Sequence, residues 1–232
     1  MKDLGDKIHD AELKFGITVS AGVKACKGDG PGSYGYEETD AQDFADWGVD
    51  YLKYVDCFNL GTETAEVRFT RMGDALKATD RDVFYAVSTW GGENVIEWGP
   101  QVANSWTLSP DLYGVYSKPI GNAWQHMKGN FLQAIAYADK VSAGHYNDLG
   151  ELLIDTFLSE YYESNANFNL WAFSKSPLFL SGNVGKMSEQ TLASFRDEVA
   201  INANKNSFQN AVTCHDGCDY SDPVSSFTAL YQ

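Results

Sequence analysis

The sequence predicts an α/β fold in which a parallel sheet is covered by helices. Short runs rich in β-branched and aromatic residues alternate along the chain with segments of helical periodicity, which is typical of βα units. With 232 residues, 44% hydrophobic and 21% charged, the chain is long enough to bury a sizeable core. The same composition is that of a globular protein rather than of a disordered or coiled-coil chain.

The predicted elements follow that alternation. Strands are expected at residues 14–19, 51–55, 83–88, 102–106 and 178–181, with a sixth near residue 141. Helices are expected at residues 1–11, 64–78, 120–138, 160–174 and 188–202, with a further one beginning at Thr39. We therefore expect about six strands that run parallel in sequence order, with the helices outside them.

The clearest unit is the helix from Thr39 and the strand that follows it. The Thr39 hydroxyl can cap this helix while Gln42, three residues later, reaches back, as in a capping box. Gly48 suits the position after the helix end, where a left-handed backbone favours glycine. Residues 49–55 then form a strand, and Cys57 begins the next loop.

Charge and hydropathy exclude several kinds of partner. Seventeen Lys and Arg against 32 Asp and Glu give a net charge of −15, which repels the phosphates of nucleic acids. No apolar run approaches the roughly 18 residues of a membrane span, so no membrane partner is expected. The polar and charged residues that follow Met1 lack the pattern of a signal peptide, so none is expected in this stretch.

Two acidic residues lie at the C-terminal ends of predicted strands, where the catalytic groups of parallel barrels are found. Asp56 ends the strand at 51–55, and Asp111 follows the strand at 102–106 after a short loop. Two carboxylates about 5 to 5.5 Å apart serve as nucleophile and acid/base in retaining glycosidases. The alternative is a pair of solvated loop acids, because sequence alone does not contain the distance.

Near the C-terminus, Cys214 and Cys218 flank the tripeptide His-Asp-Gly. Thiolates and imidazoles bind zinc, but one pair of cysteines supplies at most half of a structural zinc site. A local disulfide or two unpaired thiols outweigh zinc, so no metal is expected.

A series of motifs occurs in a fixed order over residues 14–204. They are Lys14-Phe15-Gly16-Ile17, Ser20-Ala21-Gly22, Cys26, Pro31-Gly32-Ser33-Tyr34-Gly35-Tyr36-Glu37-Glu38, Asp40-Ala41-Gln42, Trp47-Gly48-Val49-Asp50-Tyr51-Leu52-Lys53-Tyr54, Trp90-Gly91, Asn104-Ser105-Trp106, Asp111, Tyr146-Asn147-Asp148-Leu149 and Trp171-Ala172-Phe173-Ser174-Lys175-Ser176-Pro177-Leu178. Together they resemble the α-galactosidases of glycoside hydrolase family 27.

The resemblance implies a (β/α)8 TIM-barrel type of fold, here an incomplete barrel, because it starts at the helix after the family's second strand. Residues 1–204 are then a partial barrel catalytic domain, and residues 205–232 a C-terminal tail or truncated appendage. We expect a fragment, a truncated product or a remodelled relative, whose barrel is open, strained or completed by a partner. Low stability or self-association is the expected consequence. The resemblance also implies a Cys26–Cys57 disulfide, secretion, and no cofactor.

The matched region departs from the family at its centre. The family motif Lys-Tyr-Asp-Asn-Cys, whose Asp is the nucleophile, is Lys53-Tyr54-Val55-Asp56-Cys57 here. Side chains alternate across a strand, so Asp56 is expected to point away from the face of Lys53 unless a bulge re-aims it.

Residues that bind the sugar in the family are also replaced. Thr18, Thr107 and Gly150 stand where the family has Tyr, Arg and Asp. Each replacement weakens the expected recognition of galactose.

The resemblance thus implies a retaining hydrolase of terminal α-linked galactose. Asp56 is the candidate nucleophile, Asp111 falls on the acid/base position, and Lys53 and Trp90 are the candidate sugar-binding residues. We expect the activity of this chain to be weak or lost. The alternative is a non-catalytic carbohydrate-binding or structural pseudoenzyme of the same fold.

Overall fold

The computed structural model of the chain describes residues 1–111, 123–153, 161–206 and 210–213. The chain divides into two compact units, Met1–Trp106 and Thr107–Gln232. Cys214, Cys218 and most of the predicted C-terminal tail lie outside the described residues.

The first unit, every residue of which is described, is a succession of βα units. Its strands are β1 (Gly16–Ser20), β2 (Tyr51–Val55), β3 (Phe84–Ser88) and β4 (Ser105–Thr107), the last of which ends at the unit boundary. Its helices are α1 (Lys2–Asp10), α2 (Glu37–Asp46), α3 (Ala65–Lys77) and α4 (Val95–Val102). The strands lie in the order β1–β2–β3–β4 and pair in parallel, which confirms the predicted alternation here.

Strand β2 shows how this sheet divides into two faces. Leu52 and Tyr54 are fully buried, and the Tyr54 ring lies 5.2 Å from the ring of Phe69 on α3. From the neighbouring strand, the Tyr85 hydroxyl donates to the Phe69 carbonyl at 2.9 Å. One face of β2 therefore packs against the helix layer, and Lys53 and the other alternate residues lie on the opposite face.

The start of β2 is held by the carboxylate of Asp50. It accepts hydrogen bonds from the Phe15 N–H, from His9 and from Arg81, each at 2.8 Å, and Lys14 lies 3.6 Å away. Burial by itself would raise the pKa of Asp50, but these hydrogen bonds and charges outweigh it and lower the pKa to about 2. Asp50 thus links α1, the start of β1 and the segment before β3.

The described part of the second unit contains three short strands and four α-helices. The strands are β5 (Tyr146–Asp148), β6 (Leu152–Leu153) and β7 (Leu180–Ser181), and the helices are α5 (Ala123–Ala136), α6 (Tyr161–Phe173), α7 (Glu189–Ser194) and α8 (Glu198–Lys205). β6 pairs in parallel with β7. The Leu108 N–H donates to the Asp148 carbonyl at 3.3 Å, so the chain that leaves β4 runs beside the end of β5.

The strand predicted at residues 102–106 was wrong at its start. Val102 ends helix α4, and β4 begins only at Ser105. Pro100 lies inside α4, although a proline removes one N–H donor and usually ends a helix. The helix persists because Val95, Trp98 and Gly99 are buried on one of its faces, and this packing offsets the lost hydrogen bond.

The capping box predicted at Thr39 was also wrong. Helix α2 already begins at Glu37, and its N-cap residue, Tyr36, makes no capping hydrogen bond through its side chain. Glu37 is 3% exposed and accepts from Arg71 Nη1 on α3 at 3.1 Å. A long-range ion pair fixes this helix start, whereas Gly48 has the predicted left-handed backbone with φ +78°.

Three further differences concern the second unit. The fifth strand begins at Tyr146 rather than near residue 141, and β6 is too short to show a period in the sequence. The helix predicted at 188–202 is two helices, because the Asp197 carboxylate accepts from the N–H groups of Val199 and Ala200 and begins α8 there. In the described ranges, no helix is long and apolar enough to cross a membrane.

Candidate active site

The C-terminal ends of three neighbouring strands form a buried floor in the first unit. Ser20 of β1 and Ser88 of β3 are the register partners of Val55 at the end of β2. Ser20 is 3% exposed, Ser88 1% and Val55 6%. Lys53, two residues before Val55, lies on the same face and is partly buried. The centre of this floor is therefore an apolar valine next to a lysine.

The carboxylate of Asp56 is engaged by a buried cation. Its Oδ1 accepts from Arg68 Nη1 at 2.5 Å and from Asn59 Nδ2 at 3.2 Å. The Arg68 side chain, on α3, is 2% exposed and that of Asp56 10%. Since α3 covers the face of β2 that carries Tyr54, the Asp56 carboxylate is directed to the helix layer and away from the face of Lys53.

The backbone around Asp56 contains no bulge that would re-aim it. The pairing of Ser20, Val55 and Ser88 is continuous, and the Asp56 N–H donates to the Ser88 carbonyl at 2.9 Å. The regular alternation of the strand thus extends through Asp56.

A disulfide joins Cys26 to Cys57 at the edge of this floor, as the family resemblance implied. The Ser20 hydroxyl donates to the Cys57 carbonyl at 2.9 Å. A Cβ on Gly22 would lie 2.1 Å from the Cys57 oxygen and 2.3 Å from that of Phe58. Only glycine fits at position 22, so the two loops are locked closely together.

Trp90 lies beyond the end of β3. It is partly buried and its backbone is left-handed, with φ +52°, which is uncommon for a residue other than glycine. The turn that follows is closed by the Thr89 hydroxyl, which donates to the Gly92 carbonyl at 2.9 Å. Trp90 therefore sits in a constrained turn at a strand end.

Asp111 belongs to the second unit, where its neighbour is Gly150. A Cβ on Gly150 would lie 3.7 Å from Asp111 Oδ1, so the position at which the resemblance implies an acid adjoins the candidate acid/base. The Gly150 N–H donates to Asp148 Oδ1 and its carbonyl accepts from Trp171 Nε1, each at 2.8 Å. Gly150 has φ +88°, a backbone that glycine adopts without strain.

The structure thus places Lys53, Asp56 and Trp90 near the strand ends of the first unit, but it directs the Asp56 carboxylate away from the face of Lys53. Asp111 lies in the second unit. Among the described residues, no group of three or more His, Cys, Asp or Glu side chains lies close enough to hold a metal ion.

A sequence comparison identifies the family. The family model described as α-galactosidase A matches residues 1–206. The chain belongs to this family. The α-galactosidase mel1 of Schizosaccharomyces pombe is 36% identical over 86% of this chain and 50% of that protein. The α-galactosidase 3 of Arabidopsis thaliana is 37% identical over 87% of this chain and 44% of that protein.

Solved structures agree with the family assignment. The α-galactosidase MEL1 of Saccharomyces cerevisiae aligns with a TM-score of 0.80 and 32% identity, over 89% of this chain and 49% of that one. A putative α-galactosidase of Bacteroides fragilis aligns with a TM-score of 0.83 and 30% identity, over 94% of this chain and 48% of that one. The predicted fold class, an incomplete barrel of the (β/α)8 type, is confirmed. The chain spans about half the length of the curated relatives it matches.

Sequence reasoning missed Arg68, the partner of Asp56. A signal was present, because Arg68 lies three residues after Ala65 and four before Met72, on the apolar face of the helix predicted at 64–78. A cation on that face must be buried, and a buried cation needs an anion.

Proposed function

We propose that this protein binds terminal α-linked galactosides and hydrolyses them weakly or not at all. The observation that carries the proposal is the buried Val55 at the centre of the strand-end floor, in the position of the family nucleophile. A retaining glycosidase forms a covalent bond between a carboxylate and the anomeric carbon, and a valine side chain cannot form it.

Asp56 remains the candidate nucleophile of any residual reaction. To attack a sugar on the Lys53 face, its carboxylate would have to leave Arg68 and expose a buried guanidinium without a partner. Nucleophile and acid/base act as a unit, so Asp111 by itself would recover little of the rate.

Sugar binding requires less of the site than hydrolysis does. Lys53, on the floor face, and Trp90, at the end of β3, are the groups that we propose hold the galactose hydroxyls and ring. A structure of the Saccharomyces cerevisiae α-galactosidase with raffinose, aligned at a TM-score of 0.77, supports a carbohydrate ligand. We also propose that residues 1–204 are part of a barrel domain of the catalytic type. We further propose that the protein is secreted, since a disulfide between Cys26 and Cys57 suits an oxidising compartment.

The test restores the carboxylate at position 55. Wild-type protein, Val55→Asp and Val55→Asn are assayed with an aryl α-galactoside, and calorimetry measures binding of methyl α-galactoside. We expect wild-type turnover far below the roughly 1 to 10³ per second that is typical of enzymes. Val55→Asp is expected to raise turnover. Val55→Asn is not, because asparagine has the shape of aspartate but no nucleophilic carboxylate.

Circular dichroism checks that both variants fold, because each buries a polar group next to Ser20 and Ser88. Typical enzymatic turnover by the wild type, abolished by Asp56→Asn in a protein that stays folded, would contradict the proposal. Binding of no galactoside would instead favour the purely structural alternative.

A further inference from the structure

Phe58 is an exposed aromatic residue in the loop that follows β2. Its exposed fraction is 49%, and no aromatic ring of the described residues packs against it. It follows Cys57 directly and comes three residues after Val55, so it lies within about 10 Å of the floor along the chain.

The loop that carries Phe58 is fixed on both sides. The Cys26–Cys57 disulfide precedes it, and the Val23 N–H donates to the Phe58 carbonyl at 3.2 Å. After it, Asn59 donates to Asp56 Oδ1 at 3.2 Å and accepts from the N–H of Gly61 at 3.1 Å. The ring is therefore held by a loop that has little freedom to move.

The conformation of Phe58 is itself costly. Its φ of +48° is left-handed, a region that bulky residues rarely occupy and that the surrounding structure must enforce. A Cβ on Gly28 would lie 3.7 Å from the ring tip, so the ring rests near the Gly28 backbone while about half of the residue stays open to solvent. A strained, rigidly held and exposed aromatic next to a candidate site indicates a ligand contact rather than a packing role.

We propose that Phe58 is a stacking platform for a second sugar unit, the one attached to the galactose. This inference rests on the proposed function. Ser20, Val55 and Ser88 of the floor are 6% exposed or less, whereas Phe58 is 49% exposed, so we assign Phe58 to the mouth of the site and not to its base. A galactose seated on the floor leaves the next unit of the saccharide at this rim, where the apolar C–H groups of a sugar ring can cover an aromatic ring.

Leu60 provides a matched control. It lies two residues later in the same loop, is 55% exposed and is also apolar, but it has no aromatic face. If burial of any apolar side chain were enough to bind the second sugar unit, Leu60 and Phe58 would contribute equally to the affinity for raffinose.

The experiment measures calorimetric affinity for two probes, methyl α-galactoside and raffinose, in which further sugar units follow the α-galactosyl unit. Phe58→Ala is expected to weaken raffinose binding about 2- to 12-fold, the range of an aromatic contact, and to leave methyl α-galactoside binding unchanged. Phe58→Tyr, which keeps the ring, is expected to retain wild-type affinity, and Leu60→Ala to change neither probe. Phe58→Ala is expected to fold, since the Phe58 side chain is exposed and its removal leaves no cavity in the core.

Three results would overturn the platform while the proposed function stands. They are unchanged raffinose affinity in Phe58→Ala, an equal loss of affinity for both probes in Phe58→Ala, and a loss of raffinose affinity in Leu60→Ala as large as that in Phe58→Ala. If the wild type binds neither probe, the proposed function and the platform both fail.

Discussion

Removal of the Asp56 carboxylate is expected to destabilise the fold, because it leaves the Arg68 guanidinium buried without an anion. The two side chains are 10% and 2% exposed, and Arg68 Nε has no hydrogen-bond partner among the described residues. The Asp56 carboxylate therefore neutralises the Arg68 guanidinium, which water barely reaches. Asp56 is thus needed for the stability of the fold, whether or not it takes part in a reaction.

The magnitude follows from that burial. Truncation of one partner of a buried ion pair costs about 3–5 kcal/mol, and the partial exposure of Asp56 puts Asp56→Ala near the lower bound, at about 3 kcal/mol. Asp56→Asn keeps an oxygen that accepts from Nη1, so we expect about 1–2 kcal/mol. The double variant Asp56→Ala with Arg68→Met has no buried charge and is expected to recover most of the loss.

Urea unfolding at pH 7, followed by circular dichroism, measures these differences. Asp43→Ala is the control, because Asp43 lies exposed on α2 and its replacement is expected to change the free energy of unfolding by no more than about 0.5 kcal/mol. If Asp56→Ala costs no more than this control, or if the double variant is no more stable than Asp56→Ala, the structural role assigned to Asp56 is refuted.

Three further predictions concern the scaffold. The pKa of Asp50 is lowered from 3.8 to about 2, so the ionised carboxylate should make the wild type about 2 kcal/mol more stable to unfolding than Asp50→Asn. This difference should be present in full above about pH 4 and be lost as the pH falls towards 2. A difference in the free energy of unfolding in urea that stays constant from pH 6 to pH 2 would contradict this. Replacement of Cys26 and Cys57, 31 residues apart, by serine should lower the free energy of unfolding by about 3–4 kcal/mol in the chain-entropy model, and an unchanged urea midpoint would count against it. Gly150→Ala should lower the free energy of unfolding by about 1–2 kcal/mol because the backbone of Gly150 is left-handed, whereas Gly129→Ala should raise it, because Gly129 lies inside α5 and no atom of the described residues comes within 4 Å of the new Cβ. Thermal midpoints that move the same way in both variants would show the backbone argument to be wrong.

The sequence by itself determined the features that depend on near neighbours. The alternation of short strands and helices predicted the α/β class, and Gly48 predicted the end of α2. The period of two along β2 was enough to predict that Asp56 points away from the face of Lys53. These features are local, since a strand or helix period and a glycine backbone preference act over a few residues.

Only the tertiary structure decided the features that depend on distant residues. Arg68 of α3 takes up the Asp56 carboxylate, and Arg71 pairs with Glu37 and sets the start of α2. Burial of Trp98 keeps α4 helical through Pro100. At the start of α2 and at Pro100, an ion pair or a packed face overrides a local preference worth about 1–3 kcal/mol, because burial makes an unpaired charge or an exposed apolar face more costly than a poor cap or a lost helix bond.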